Sequence, residues 1–188
     1  MFIPTKAMSM LLALLAVGFA SPTPELAARS EPYNTVMINP SGGYCVLAPR
    51  IPGMPIAVSG PSGATQSYCN HPTGGQGQMP PNFWTPTLRA NQGIHGGPYV
   101  QLTGCINPSA LGLNPNDPGG QYNSNGRFGE PGNPRGSACA GYNSYVEIIE
   151  PNHRRACMRC CQDPADCLIR HETAGCPANI PGDYTGCE

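Results

Sequence analysis

Cys157-Met158-Arg159-Cys160-Cys161 begins a segment in which six of the chain's ten cysteines are gathered, the last of them at Cys187. The other four, Cys45, Cys69, Cys105 and Cys139, are spread upstream, and Cys167 and Cys176 complete the C-terminal group. Spacing of i, i+3 and i+4 puts Cys157, Cys160 and Cys161 on one face if residues 153–162 form a turn or two of helix. That face would be buried. Its three sulphurs would bond to three other segments, making the run a hub that pins a β-part to the tail.

All ten cysteines lie downstream of an N-terminal stretch with one positive charge, Lys6, and an apolar run from Ala7 to Phe19. Small Gly18 and Ala20 precede a cleavage point after Ala20, so residues 1–20 read as a secretory signal peptide. Residues 21–32 read as a flexible N-terminus or pro-segment, and residues 33–188 as one disulfide-stapled domain. The mature form is expected outside the cell, with no membrane attachment. An even cysteine count in an oxidising compartment predicts five disulfides among these ten residues, with the connectivity left open.

Leu, Ile, Val and Phe supply 23 of the 168 residues after Ala20, fewer than the roughly 20% below which chains tend not to fold unaided. Glycine (24) and proline (23) together make up a quarter of the whole sequence. Cross-links are therefore expected to take the place of a large apolar core, because each removes entropy from the unfolded chain.

After Ala20 the chain has nine arginines, no lysine and eleven acidic residues. This balance offers no basic face and excludes nucleic acid as the expected partner. Arg154, Arg155 and Arg159 form the densest positive cluster and read as a solvated helix face.

Short β-prone runs lie between Gly, Pro and Asn signals at Thr35 to Ile38, Tyr44 to Leu47, Ile56 to Val58, Tyr99 to Ile106 and Tyr145 to Ile149. In the fourth run, Tyr99, Gln101 and Thr103 alternate with Val100 and Leu102, the pattern of a half-buried strand. Asn114 to Gly136 is rich in Asn, Pro, Gly and Ser and predicts a long irregular loop. Helix is expected near the C-terminus, where Asp163-Pro164-Ala165-Asp166 supplies an N-cap and a first-turn proline, Arg170 and His171 suit the last turn, and Gly175 a stop. The fold class is thus mainly β: a small disulfide-rich secreted domain with short C-terminal helical turns and long Gly/Pro/Asn-rich loops.

Candidate chemistry is sparse. Cys157 and Cys160 have thioredoxin-type spacing without its βαβ context, so they read as structural. A zinc set drawn from the cluster with His153 or His171 conflicts with secretion and an even cysteine count. Glu147 and Glu150 are the closest carboxylates to a glycosidase-like pair, but three residues apart on a strand they face opposite sides, which suggests a solvated edge. No catalytic residue, metal ligand or cofactor is assigned. Phe83 and Trp84, in a proline-braced segment, either plug a small core or, with Tyr99, contact a ligand by stacking.

At Arg155-Ala156-Cys157-Met158-Arg159-Cys160-Cys161, Asp166-Cys167, Gly175-Cys176-Pro177, Ile180-Pro181-Gly182-Asp183-Tyr184 and the closing Cys187, the chain resembles fungal small secreted cysteine-rich proteins of uncharacterised or effector-like type. The resemblance implies an extracellular role and carries over no catalytic residue. The expectation is a non-catalytic binding or interaction protein at a cell wall or host surface, its partner an extracellular protein or polysaccharide. A carbohydrate-binding module and a small secreted hydrolase are the alternatives.

Overall fold

The computed structural model describes residues 34–125, 131–167 and 174–187. The signal-peptide and N-terminal readings lie outside these residues, as do Arg170 and His171. Among the described residues there are eleven strands: β1 (Thr35–Ile38), β2 (Tyr44–Pro49), β3 (Thr65–Cys69), β4 (Gly77–Gln78), β5 (Trp84–Gln92), β6 (Pro98–Ile106), β7 (Gly120–Asn125), β8 (Pro131–Asn133), β9 (Ala138–Cys139), β10 (Ser144–Glu150) and β11 (Arg155–Cys161). One sheet has the order β4-β3-β2-β1-β9 and the other β5-β6-β11-β10-β7-β8.

The cysteine run is therefore a strand, not the expected helix. Both edges of β11 are paired along its length, with β10 from Glu150↔Arg155 to Ser144↔Cys161 and with β6 from Cys105↔Arg155 to Tyr99↔Cys161. Two complete ladders outweigh the weak helix preference of a cysteine-rich run. The change of period also changes the faces. Cys157 and Cys161 now share one side of the sheet with Arg155 and Arg159, while Ala156, Met158 and Cys160 share the other.

The inner face meets the five-stranded sheet. Val100, Leu102, Ile106, Tyr145, Ile149, Met158 and Cys160 pack there with Val36, Val46, Leu47, Phe83 and Trp84. Cys160 bonds to Cys139 of β9 and so links the two sheets covalently. Cys45 and Cys69, directly opposed in β2 and β3, lock the smaller sheet.

The outer face is covered by the C-terminal segment, which includes a 3-10 turn at Pro164–Cys167 and a short helix at Gly175–Asn179. Three disulfides hold it: Cys105–Cys187, Cys157–Cys176 and Cys161–Cys167. Cys157, Cys161, Cys167, Cys176, Val146, Ile148 and Ile180 form a second apolar cluster beneath it. Polar residues on this face find partners in the tail: Gln101 Nε2 donates to the Pro181 carbonyl at 2.9 Å, and Thr103 Oγ1 accepts the Asp183 N–H at 3.1 Å. The alternation in β6 is present, but its polar side is buried rather than wet. The three cysteines of β11 do bond to three separate segments, and none bonds to another.

Three local expectations are corrected. Ile56 to Val58 lies in a four-residue helix, Ile56–Ser59, whose first N–H is taken by Asp117 Oδ2 at 2.8 Å. The stretch from Asn114 to Gly136 contains β7 and β8, because the open edge of β10 supplies a ladder that its polar sequence does not announce. Gly175 opens a helix instead of closing one. Its φ is +71° and a side chain there would run into the Glu150 carboxylate, so glycine is required for the tail to dock.

Non-reducing peptide mapping is expected to recover the five pairs named above. Replacing both Cys139 and Cys160 by Ala should lower stability by about 2–4 kcal/mol, read as a reduced urea midpoint, and an unchanged midpoint would contradict the inter-sheet role of this bridge.

Candidate binding cleft

Among the described residues, two clefts adjoin the short helix Gly175–Asn179. The larger, about 470 Å³, is lined by Gly119, Gly120, Gln121, Asn133, Ile148 and Glu150 among others. Its charge is already neutralised: Arg155 Nε donates to Glu150 Oε2 at 2.8 Å and Nη2 to Oε1 at 3.1 Å, and the Cys176 N–H donates to Oε2 at 2.8 Å. That arrangement docks the tail and leaves little unspent charge for a ligand.

The smaller cleft, about 320 Å³, lies between the tail and the tip of the β5–β6 hairpin, and its lining includes Gln92, Ile94, Tyr99, Arg159, Asp166 and Asn179. Gly93 and Gly97 close the tip through a 2.7 Å main-chain bond. Asp166 fastens it to the tail, accepting the His95 N–H at Oδ1 over 3.3 Å. A side chain at Gly93 would collide with the same carboxylate. Asp163 caps the 3-10 turn as its sequence suggests, accepting the Ala165 N–H at 2.9 Å.

Arg159 is the charged group of this cleft. Its Nε and Nη2 donate to Gln101 Oε1 at 3.0 and 2.8 Å, its Nη1 donates to the Asp166 carbonyl at 3.2 Å, and the guanidinium lies 4.5 Å from the Tyr99 ring centroid. Burial lowers its pKa, opposed by Tyr99, Asp166 and Tyr184, but an arginine remains cationic at neutral pH. Its hydrogen-bond acceptors are neutral oxygens, and the nearby Asp166 carboxylate acts on its charge through space without a salt-bridge contact. Of the three arginines read as a solvated face, Arg155 is ion-paired, Arg159 is half-buried, and only Arg154 is exposed.

Tyr99 lines this cleft, whereas Phe83 and Trp84 do not. Both are in the core, at 1% and 4% exposure, with Trp84 meeting Tyr44 edge-on at 5.6 Å between centroids. They are out of reach of a sugar ring. Arg159 was hidden in the sequence by the helical reading; strand periodicity, which sets it two residues from both Cys157 and Cys161, would have placed it on the tail-covered face.

Elements of acid–base chemistry are dispersed. Glu147 and Glu150 do face opposite sides, but neither is on a solvated edge, because β10 is central and both are buried. Glu147 points inward, where its Oε2 accepts the Leu47 N–H from β2 at 3.0 Å. His71, His95 and His153 are exposed. Cys157 and Cys160 project from opposite faces, so they form no redox pair, and all ten cysteines are disulfide-bonded. Among the described residues no group of three or more His, Cys, Asp or Glu is placed to hold a metal.

The two glutamates predict opposite pH effects. Burial pushes Glu147 well above the ordinary carboxyl value of 4.5, partly offset by the Leu47 N–H. Folding thus favours its protonated form, and stability declines as pH rises above 4.5 toward the folded pKa. For Glu150, burial also acts upward, but the Arg155 and Cys176 hydrogen bonds and the Arg155 and His153 charges bring the net value below 4.5. Its contribution is present above 4.5 and lost as pH falls through the folded value. Glu147→Gln should remove the decline on the alkaline side in urea titrations, and a variant with an unaltered profile there would refute the assignment.

Comparison of the chain with protein-family models, curated proteins and solved structures found no match in any of the three, so the chemistry of both clefts comes from these residues alone.

Proposed function

We propose that this chain is secreted, loses residues 1–20, and acts outside the cell as a non-catalytic binding protein at a cell wall or host surface, in the manner of the fungal cysteine-rich proteins it resembles. The observation that carries this reading is the cleft at Arg159. Three disulfides and a glycine-dependent docking of the tail hold a half-buried cation in a fixed orientation beside an exposed hairpin tip, which is a device for recognition. A fixed, pre-ordered site lowers the entropic cost of binding.

Two further observations support it. The dispersal of Glu147, Glu150 and the three described histidines favours binding over hydrolysis, since acid–base catalysis needs such groups within reach of one substrate. Five disulfides suit an oxidising compartment. Among the described residues no helix is long and apolar enough to cross a membrane. A carbohydrate-binding module built on a tryptophan platform is not favoured, because Phe83 and Trp84 are inside the core.

Expression of the full chain in a secretory host should give a product in the medium that begins at Ser21 and has a mass ten hydrogens below the reduced value. That product should sediment with wall material or a host-surface fraction and leave polysaccharide and peptide substrates uncut. Retention inside the cell, or catalytic turnover, would overturn the proposal. Trp84 fluorescence should be insensitive to iodide and to added polysaccharide.

A further inference from the structure

We infer that the cleft between the β5–β6 hairpin tip and the C-terminal tail binds the carboxylate of a uronic-acid unit in an acidic polysaccharide. This rests on the binding reading above and specifies the ligand of the same cleft.

Arg159 carries the argument. A guanidinium has five N–H donors, and three bonds are made here, to Gln101 Oε1 twice and to the Asp166 carbonyl once. The remaining donors belong to a cation that has no carboxylate in salt-bridge contact among the described residues, unlike Arg155 with Glu150; the Asp166 carboxylate acts on it through space alone, its Oδ1 being taken by the His95 N–H. Its plane is fixed from below by Tyr99 and at its edges by Gln101 and Asp166. A fork held this way matches a planar carboxylate, and the bond is charge-assisted in a partly dehydrated site.

The rest of the lining selects the ligand class. Gln92 carries a side-chain amide, Tyr99 a phenol and Asp166 a carboxylate, while the Asn179 amide donates to the Gly175 carbonyl at 2.8 Å. Amides and phenols both donate and accept, as sugar hydroxyls do. Ile94, 83% exposed at the hairpin tip, offers an apolar rim for the C–H face of a pyranose. A peptide carboxylate would use Arg159 equally but would bring few hydroxyls to the amides, so the saccharide is favoured. The hairpin tip is tied to the tail by the His95 N–H, which donates to Asp166 Oδ1, and the missing side chain at Gly93 lets that carboxylate approach, which keeps the cleft formed before a ligand arrives.

Calorimetric titration of the full mature protein with tri-galacturonate is the test, alongside its methyl ester, tri-galactose and an acidic tripeptide. Tri-galacturonate should bind, with affinity falling about tenfold or more for the methyl ester, and tri-galactose and the tripeptide should be weaker still. Arg159→Gln should reduce binding by a similar factor. Because Arg159 also braces the tail, the exposed Ile94→Asp serves as the second variant: it should weaken tri-galacturonate binding at an unchanged melting temperature. Equal binding of the ester, preference for the tripeptide, or full binding by Ile94→Asp would overturn the inference. Attachment to wall or host material that survives both substitutions would overturn the uronate site and leave the extracellular binding function standing.

Discussion

Strand periodicity in β11 is the constraint on which the molecule depends. Alternate side chains of Arg155–Cys161 leave opposite faces of a central strand, so one run of three cysteines serves two layers. Cys160 reaches Cys139 in the other sheet, while Cys157 and Cys161 reach Cys176 and Cys167 in the tail. A helix would have aimed all three sulphurs one way and left one layer untethered. The shortage of aliphatic residues makes this division matter, since neither the sandwich nor the tail has much apolar area to bury.

The tail is the clearest case. Its 3-10 turn and five-residue helix are too short to hold themselves, and its apolar residues, Ile180 among them, pack on Val146 and Ile148 of the sheet. Covering the outer face in turn makes residues such as Gln101 and Thr103 buried, and the tail's main chain supplies their partners. The same covering forms the cleft at Arg159. It exists where the tail, the hairpin tip and the strand face fail to close completely.

The interior also holds polar side chains, Ser59, Gln101, Thr103 and Glu147 among them. Tyr122 and Tyr145 are buried with their hydroxyls satisfied by Ser59 and Ser137 at 2.7 Å each. Glu147 lies beside Tyr122 in register and takes the Leu47 N–H of β2, beyond the two residues, Met37 and Ile38, through which β1 pairs with β2. Such groups specify the alignment of the two sheets at a cost in desolvation. The long edge strand β5 is guarded in the usual ways: Pro86 removes a donor, and Arg89 places a charge among its exposed residues.

Composition, cysteine count and the short β-prone runs determined the class of this protein: a chain poor in Leu, Ile, Val and Phe and rich in cysteines depends on disulfide staples, and β-prone runs between turn signals make the fold mainly β. They also marked Thr35 to Ile38, Tyr44 to Leu47, Tyr99 to Ile106 and Tyr145 to Ile149, where β-branched and aromatic residues sit between turn signals. Tertiary structure alone decided that Arg155–Cys161 extends, that β7 and β8 form within a polar stretch, and that Ile56 to Val58 coils. Each of these depends on a neighbour distant in sequence: two ladders, the edge of β10, and the Asp117 carboxylate at the helix start. The same holds for the site. Arg159, Tyr99, Gln92 and Asp166 lie on four different segments: the β5–β6–β11 ladders bring the first three together, and the folding of the tail over the sheet adds Asp166.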